Sequence, residues 1–289
     1  MLLTLTAVSL RSMFAKGRGG RPKLEMLDLP RYTREELGLH GLNLSTELLA
    51  GVSRDVLEKL RERADKAGCA CLLLIESEPQ AFGDASEAKA AGAVERMQKV
   101  IQAASILGCN AVAVKVVGED DTAVFARTAE RMKKTVERAE KLELNLLISP
   151  HTGLTQTPER VTDLIKKVGG FRVGTFPDFQ AAAASPDPTN YLRRLTPYAS
   201  VVAGTTVKFV AAKGEKEAKE AEEGTGPVKH QPYDLDPLIN AILSVGYDGT
   251  LGIDFRGTGD AKLGVIRSRT ALEALLDVDE PPVDDEAEV

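Results

Sequence analysis

Short apolar runs alternate with amphipathic helical patterns eight times along this chain of 289 residues. Residues 144–180 show one such unit. An apolar run at 144–148 ends in turn residues, Thr157 and Pro158 begin a helical pattern, and a second apolar run follows at 171–175. Short apolar runs closed by turns are typical of strands buried on both faces of a sheet. The alternation therefore predicts an α/β protein with parallel strands joined by helices.

The number of these units favours a closed barrel. Eight strand-then-helix units in about 275 residues match the count and size of a (β/α)₈ barrel. The predicted strands are at residues 2–10, 40–44, 69–75, 111–117, 144–148, 171–175, 200–210 and 251–255. A doubly wound sheet is the alternative, but the glycine-rich first turn typical of that fold is absent. We therefore predict a single-domain (β/α)₈ TIM barrel over residues 1–276.

Two charged segments depart from the barrel pattern. Residues 213–232 have no apolar face and are expected to form a mobile loop at the rim of the active-site face, where they could act as a lid. Residues 277–289 are acidic and contain prolines, and are expected to be a disordered tail.

Composition limits the partners and the compartment. The net charge of −6, with no compact basic patch, argues against nucleic acid and against an anionic membrane surface. No apolar run approaches the roughly 18 residues of a spanning helix, and the apolar start favours a first strand over a signal peptide. Cys69, Cys71 and Cys109 lie in or beside apolar runs, which indicates reduced core residues of a cytoplasmic protein. The oligomeric state stays undetermined.

Candidate catalytic residues are those that close the strands, because barrels of this kind place the active site at the C-terminal ends of their strands. Asp178 follows the sixth predicted strand and Asp254 lies in the eighth. Both are candidate metal ligands, and Asp254 is also a candidate acid–base group. His151, after the fifth strand, is a candidate assisting group. Lys115 in the fourth strand points either into the barrel mouth or toward Asp178 as a buried pair.

Three cationic residues are candidates for substrate binding. Arg18 belongs to the glycine-rich segment 17–21, which could cradle a phosphate or could simply be a surface loop. Lys208 lies in the seventh predicted strand, and Arg256 follows the eighth.

Several strand-end motifs resemble those of the sugar phosphate isomerase/epimerase family of xylose isomerase-like TIM barrels, which also includes endonuclease IV-type enzymes. The matching stretches are Gly174-Thr175-Phe176-Pro177-Asp178-Phe179, Tyr247-Asp248-Gly249-Thr250-Leu251-Gly252-Ile253-Asp254 and Gly257-Thr258-Gly259-Asp260. With the order and spacing of the units, the resemblance covers nearly the whole chain.

The resemblance implies a divalent metal such as Mn²⁺, Mg²⁺ or Zn²⁺. In that family a Glu, an Asp, a His and a Glu hold the metal, and the two Glu residues move a proton at a carbon next to a carbonyl. Only the Asp is matched here, by Asp178. The first Glu falls on Ser149, the His falls near Ala203, and the second Glu is replaced by Asp254.

Two functions remain open from the sequence. The first is a sugar or sugar phosphate isomerase or epimerase that acts on a small carbohydrate, with or without metal assistance. The second is a family member without catalytic activity that binds a carbohydrate or a partner protein. A role in DNA repair is disfavoured by the acidic charge and by the shortage of ligands for several metal ions.

Overall fold

Eight parallel strands form a closed barrel in the computed structural model, which describes residues 1–16, 20–211 and 228–276. Neighbouring strands pair in the order 173–175, 145–149, 111–115, 70–75, 41–45, 2–6, 250–255 and 201–206. Backbone bridges from Thr175 to Ala199 and from Asp178 to Ala203 join the two ends of this sheet. The (β/α)₈ TIM barrel predicted from the sequence is confirmed.

The elements follow the predicted alternation closely. The barrel strands are β1 (Leu2–Thr6), β2 (Gly41–Ser45), β3 (Ala70–Ile75), β4 (Ala111–Lys115), β5 (Asn145–Ser149), β6 (Val173–Thr175), β7 (Val201–Thr206) and β10 (Thr250–Phe255), and β8 (Lys208–Ala211) and β9 (Val228–Gln231) form an antiparallel hairpin. The helices are α1 (Arg11–Phe14), α2 (Leu29–Glu36), α3 (Arg54–Ala67), α4 (Glu87–Leu107), α5 (Thr122–Lys141), α6 (Pro158–Val168), α7 (Phe179–Ala183), α8 (Pro188–Leu195), α9 (Asp236–Leu243) and α10 (Ala261–Leu276).

Local signals set the ends of the helices. The Thr157 side chain accepts a hydrogen bond from the Arg160 N–H at the start of α6, where Pro158 occupies the first turn. Helices α3 and α4 end at Gly68 and Gly108, which adopt left-handed backbone conformations with φ of 62° and 77°. Glycine reaches this conformation without steric cost, so these two positions stop the helices cleanly.

Apolar side chains pack in two layers. The larger core lies between the strands and the surrounding helices. A smaller cluster fills the inside of the barrel, and its members are Leu73, Ala111, Ala113, Leu147, Phe176, Val201 and Ala203. Beside it, the buried Asn43 amide donates to the Thr4 hydroxyl at 3.0 Å. The barrel interior is therefore packed on one side and hydrogen-bonded on the other.

The first and the seventh predicted strands each end four residues earlier than expected. Residues 7–10 of the first form a 3₁₀ helix, in which the Ser9 hydroxyl accepts a hydrogen bond from the Phe255 N–H at 2.9 Å. The seventh strand ends at Thr206, because the chain leaves the barrel there and β8 pairs with β9. The prediction of a loop through residue 232 is thus wrong for 228–231. Residues 212–227 and the predicted tail at 277–289 lie outside the described residues.

The three cysteines are buried and free, which confirms that they are reduced core residues. Within the described ranges, no helix combines the length and the apolar character needed to cross a membrane.

Gly174 in β6 is required where the barrel closes. A Cβ at this position would lie 2.3 Å from the backbone oxygen of Tyr198. We expect Gly174→Ala to lower the free energy of unfolding by about 1–3 kcal/mol, as for other overpacked sites. Urea denaturation measures this change.

Gly92→Ala is the matched control, since Gly92 lies in α4 with nothing within 4 Å of an added Cβ. This substitution should stabilise the protein by roughly 0.5–1 kcal/mol. Equal effects of the two substitutions would contradict the assigned closure of the barrel.

Candidate active site

The alternation of side chains along each strand brings polar groups to the barrel mouth. Lys115, Ser149 and Thr205 each lie two residues beyond a member of the interior cluster, so they continue inward at the C-terminal ends of β4, β5 and β7. Strand register places Lys115 beside Ser149, and Thr205 beside Asp254. These four side chains therefore belong to one layer at the mouth.

A cavity of about 570 Å³ opens at this end of the barrel. Its lining mixes hydroxyl, cationic, carboxylate and apolar groups. The lining residues are Thr6, Val8, Arg11, Ser45, Glu47, Ile75, Ser77, Lys115, Ser149, Pro150, His151, Phe176, Asp178, Gln180, Ala181, Ala184, Asp254 and Arg256. The size and the mixed lining suit a small organic ligand.

Arg256 joins the two candidate aspartates. Its Nη2 atom lies 2.5 Å from Asp178 Oδ2 and 2.7 Å from Asp254 Oδ2. Its Nε also donates to Asp254 Oδ2 at 3.0 Å, and Nη1 donates to Gln180 Oε1 at 2.9 Å. Burial opposes the charged form of Arg256, but the carboxylates of Asp254 and Asp178 outweigh burial and raise its pKa. Both aspartates are thus paired with one cationic side chain of the same protein.

Asp178 has structural partners as well. Its Oδ1 accepts the Ala181 N–H at 3.0 Å and so caps α7, while Oδ2 also accepts the Thr205 hydroxyl at 3.0 Å. Asp254 is only 5% exposed, and its Oδ1 is shielded from solvent with no hydrogen-bond partner among the described residues. Burial raises the pKa of Asp254, although the neighbouring Arg256 opposes that shift.

Lys115 and His151 lie in the same cavity. Burial and the charge of Lys115 lower the pKa of His151, so its imidazole is neutral near pH 7. Lys115 makes no ion pair or side-chain hydrogen bond to any other described residue, and Asp178 pairs with Arg256. Lys115 therefore points into the barrel mouth and does not form the alternative buried pair with Asp178.

Only one of the three residues predicted to bind substrate lines the cavity in the described part of the chain. Lys208 is exposed on β8 and is not part of the cavity lining, while Arg18 lies outside the described residues. Ala203 packs inside the barrel, and the β7 side chain that reaches Asp178 is Thr205. The predicted substrate-binding residue Arg256 does line the cavity, but its guanidinium is engaged by side chains of the protein.

Sequence reasoning missed several contacts near the site. Gln180 is not among the predicted site residues, yet its side chain accepts a hydrogen bond from Arg256. Its spacing is a signal that could have found it, since Gln180 lies two residues after Asp178 as Arg256 lies two residues after Asp254. Glutamate is usually exposed, but Glu76 is fully buried directly after β3, where the Arg96 Nε donates to its Oε2 at 2.8 Å. The salt bridge to a helix residue explains this burial, and no sequence pattern marks that pairing.

A hydrogen-bonded chain ties the β8–β9 hairpin to the site. The Tyr233 hydroxyl donates to the Thr205 carbonyl at 2.6 Å. His230 Nε2 accepts the Val207 N–H at 2.9 Å, so the proton of the neutral ring lies on Nδ1, which donates to the Tyr233 carbonyl at 2.8 Å. Burial lowers the pKa of His230, against the smaller effects of the Tyr233 carbonyl and of Asp234.

The residues at the mouth do not fit a divalent metal. No group of three or more His, Cys, Asp or Glu side chains in the described residues is placed to hold one. The Oδ2 atoms of both aspartates are hydrogen-bonded to Arg256. Of the four carboxylate oxygens of these aspartates, only Asp254 Oδ1 has no partner in the described part of the chain. A single oxygen cannot supply the several oxygen ligands that Mg²⁺ or Mn²⁺ requires.

The sequence over residues 34–275 matches the family described as xylose isomerase-like TIM barrels. The chain belongs to this family. Solved structures of other proteins share its fold. No curated protein gives a significant sequence match.

Three solved structures illustrate the shared fold. An L-ribulose 3-epimerase aligns with a TM-score of 0.74 and 15% identity over 96% of this chain and 94% of its own. A 3-keto-D-glucoside 4-epimerase from E. coli has a TM-score of 0.70 and 13% identity, with coverage of 95% and 99%. A xylose isomerase-like TIM barrel protein from Mycobacterium smegmatis, in complex with magnesium, has a TM-score of 0.66 and 15% identity, with coverage of 96% of both chains.

Removal of the Arg256 guanidinium should destabilise this xylose isomerase-like barrel. Arg256→Met leaves the buried Asp254 carboxylate unpaired, and we expect it to lower the free energy of unfolding by about 1–3 kcal/mol. This range is below that of a fully buried pair because the Arg256 side chain is 42% exposed. Urea denaturation measures the loss.

A second substitution checks the cause of that loss. Arg256→Met with Asp254→Asn should be more stable than Arg256→Met alone, because the buried group is then uncharged. Arg11→Met is the control, since it breaks an ion pair with Glu47 that is mostly exposed and should change stability by less than about 1 kcal/mol. No recovery in the double variant would contradict the charge argument.

His230 should make stability depend on pH. Burial lowers the pKa of His230 below its usual 6.5. A protonated ring also cannot accept the Val207 N–H, so the folded state favours the neutral ring. The unfolded chain therefore binds the proton more readily, and stability present above pH 6.5 is lost as pH falls through the folded pKa. Urea midpoints between pH 7.5 and 5 should decrease more in the natural protein than in His230→Gln. Parallel decreases would rule out this role.

Proposed function

We propose that this chain binds a small hydroxylated carbohydrate in the mouth of its barrel, without metal-dependent isomerisation. The observation that carries the proposal is the cavity of about 570 Å³ at the C-terminal ends of the strands, with both aspartates already paired to Arg256. Family membership and the sugar epimerases among the solved structures of this fold support a carbohydrate as the ligand class.

The free groups of the cavity suit sugar hydroxyls. A hydroxyl both donates and accepts hydrogen bonds, so its binding site needs groups of both kinds. The Lys115 ammonium supplies donors, and Ser149 and neutral His151 each supply a donor and an acceptor. Phe176 and Ile75 add apolar surface for the carbon face of a sugar ring.

A second candidate function is metal-free proton transfer at a carbon next to a carbonyl. It is favoured by the neutral state of His151, which makes the imidazole available as a base, while Lys115 in the same cavity could polarise the carbonyl. Asp254 is less suited to this role than the sequence indicates. Its Oδ1 is shielded from solvent and its Oδ2 is held by Arg256.

Binding of sugars by chelator-treated protein tests the proposal. A panel of aldoses, ketoses and their phosphates is titrated by calorimetry, in parallel with ligand-observed NMR. We expect binding that Lys115→Met weakens about tenfold or more, because a hydrogen bond to a charged group contributes roughly 1.5–3 kcal/mol. Lys208→Met is the matched control, since it removes an exposed lysine outside the cavity and should leave affinity unchanged.

Two outcomes decide between the functions. No binding by any member of the panel, or equal weakening by both lysine substitutions, would exclude a sugar site at this mouth. With a bound sugar, incubation in D₂O reports proton transfer through exchange at the carbon next to the carbonyl. We expect no exchange. Exchange in the presence of chelator that His151→Ala abolishes would establish the second candidate instead.

A further inference from the structure

Three side-chain oxygens at the mouth converge on one cation. They are Asp178 Oδ2, Asp254 Oδ2 and Gln180 Oε1, at 2.5, 2.7 and 2.9 Å from nitrogens of the Arg256 guanidinium. Two carboxylates and an amide oxygen around one positive centre form a donor set of the kind that hard metal ions take. Here the positive centre is a side chain.

The guanidinium resolves an electrostatic problem of the site. The side chains of Asp178 and Asp254 are 17% and 6% exposed, and both contact the same Nη2 atom. Two carboxylates this close repel one another and resist being charged together unless a cation lies between them. Arg256 remains protonated at any physiological pH, so it provides that charge permanently.

The position of Arg256 in the chain makes this cation hard to displace. It lies two residues beyond Asp254 and holds the three oxygens through four hydrogen bonds. A metal ion would have to break these bonds and occupy the same space. A tethered guanidinium is also always present, whereas a free ion must pay the entropy of binding from solution.

We propose that the guanidinium of Arg256 takes the place of a divalent cation at this mouth, and that its removal converts the same three oxygens into a divalent metal site. The proposal concerns the cavity assigned to carbohydrate but does not depend on sugar binding, because its test uses a metal ion alone. A failed sugar titration would leave it intact, and a failed metal titration would leave sugar binding intact.

Titration of chelator-stripped protein with Mn²⁺, followed by calorimetry and by loss of the free-ion EPR signal, tests the proposal. The natural protein should show no binding up to millimolar Mn²⁺. Arg256→Ala should bind Mn²⁺ with a dissociation constant on the order of 10⁻⁴ M, as expected for a site of few protein oxygens. Addition of Asp178→Asn to this variant should abolish Mn²⁺ binding. Arg256→Lys should not bind Mn²⁺, because it keeps a cation at the site.

Two results would overturn the proposal. One is micromolar Mn²⁺ binding by the natural protein that Asp178→Asn removes. The other is an Arg256→Ala variant that has the circular dichroism spectrum of the natural protein but binds no Mn²⁺. If Arg256→Ala does not fold, Arg256→Gln retains most of the side-chain volume and is titrated instead, with the same two results deciding.

Discussion

Closure of eight parallel strands into a barrel is the constraint on which the site depends. Every second side chain of each strand must point inward, so the residues that fill the interior also fix what reaches the mouth two positions later. Lys115 lies two residues after Ala113, Ser149 two residues after Leu147, and Thr205 two residues after Ala203. Core packing and site chemistry are therefore set by one register, and a one-residue slip would exchange mouth groups for residues that face the helices.

That register explains what could be predicted and what could not. The ends of the apolar runs predict Ser149, Asp178 and Asp254 at the mouth and leave Lys115 open between the mouth and a buried pair with Asp178, and the structure has all four at the cavity. Arg256 was identified as a mouth residue, but its pairing with both aspartates depends on the path of a long side chain, which no sequence spacing determines. Glu76 was missed for the same reason, since its burial requires Arg96 from a distant helix.

The charge balance of the mouth then follows from very few residues. Asp178, Arg256 and Asp254 form one cluster, and Arg11 pairs with Glu47 at the rim. Lys115 is left as a cation with no ion pair in the described part of the chain. Structures at 13–15% identity share the fold over nearly their whole lengths. A shared barrel is compatible with different cations at its mouth, because the backbone closes the barrel and a few side chains set the charge.

The hairpin outside the barrel is connected to this cluster through Thr205. Its carbonyl accepts the Tyr233 hydroxyl, while its own hydroxyl donates to Asp178. Tyr233 is in turn held by His230, whose neutral ring also binds the Val207 N–H. Displacement of His230 in β9 would break the hydrogen bond to the Val207 N–H, directly after β7 and two residues beyond the partner of Asp178. Thr205, at the end of β7, therefore connects the hairpin to the charged cluster at the mouth through its carbonyl and its hydroxyl.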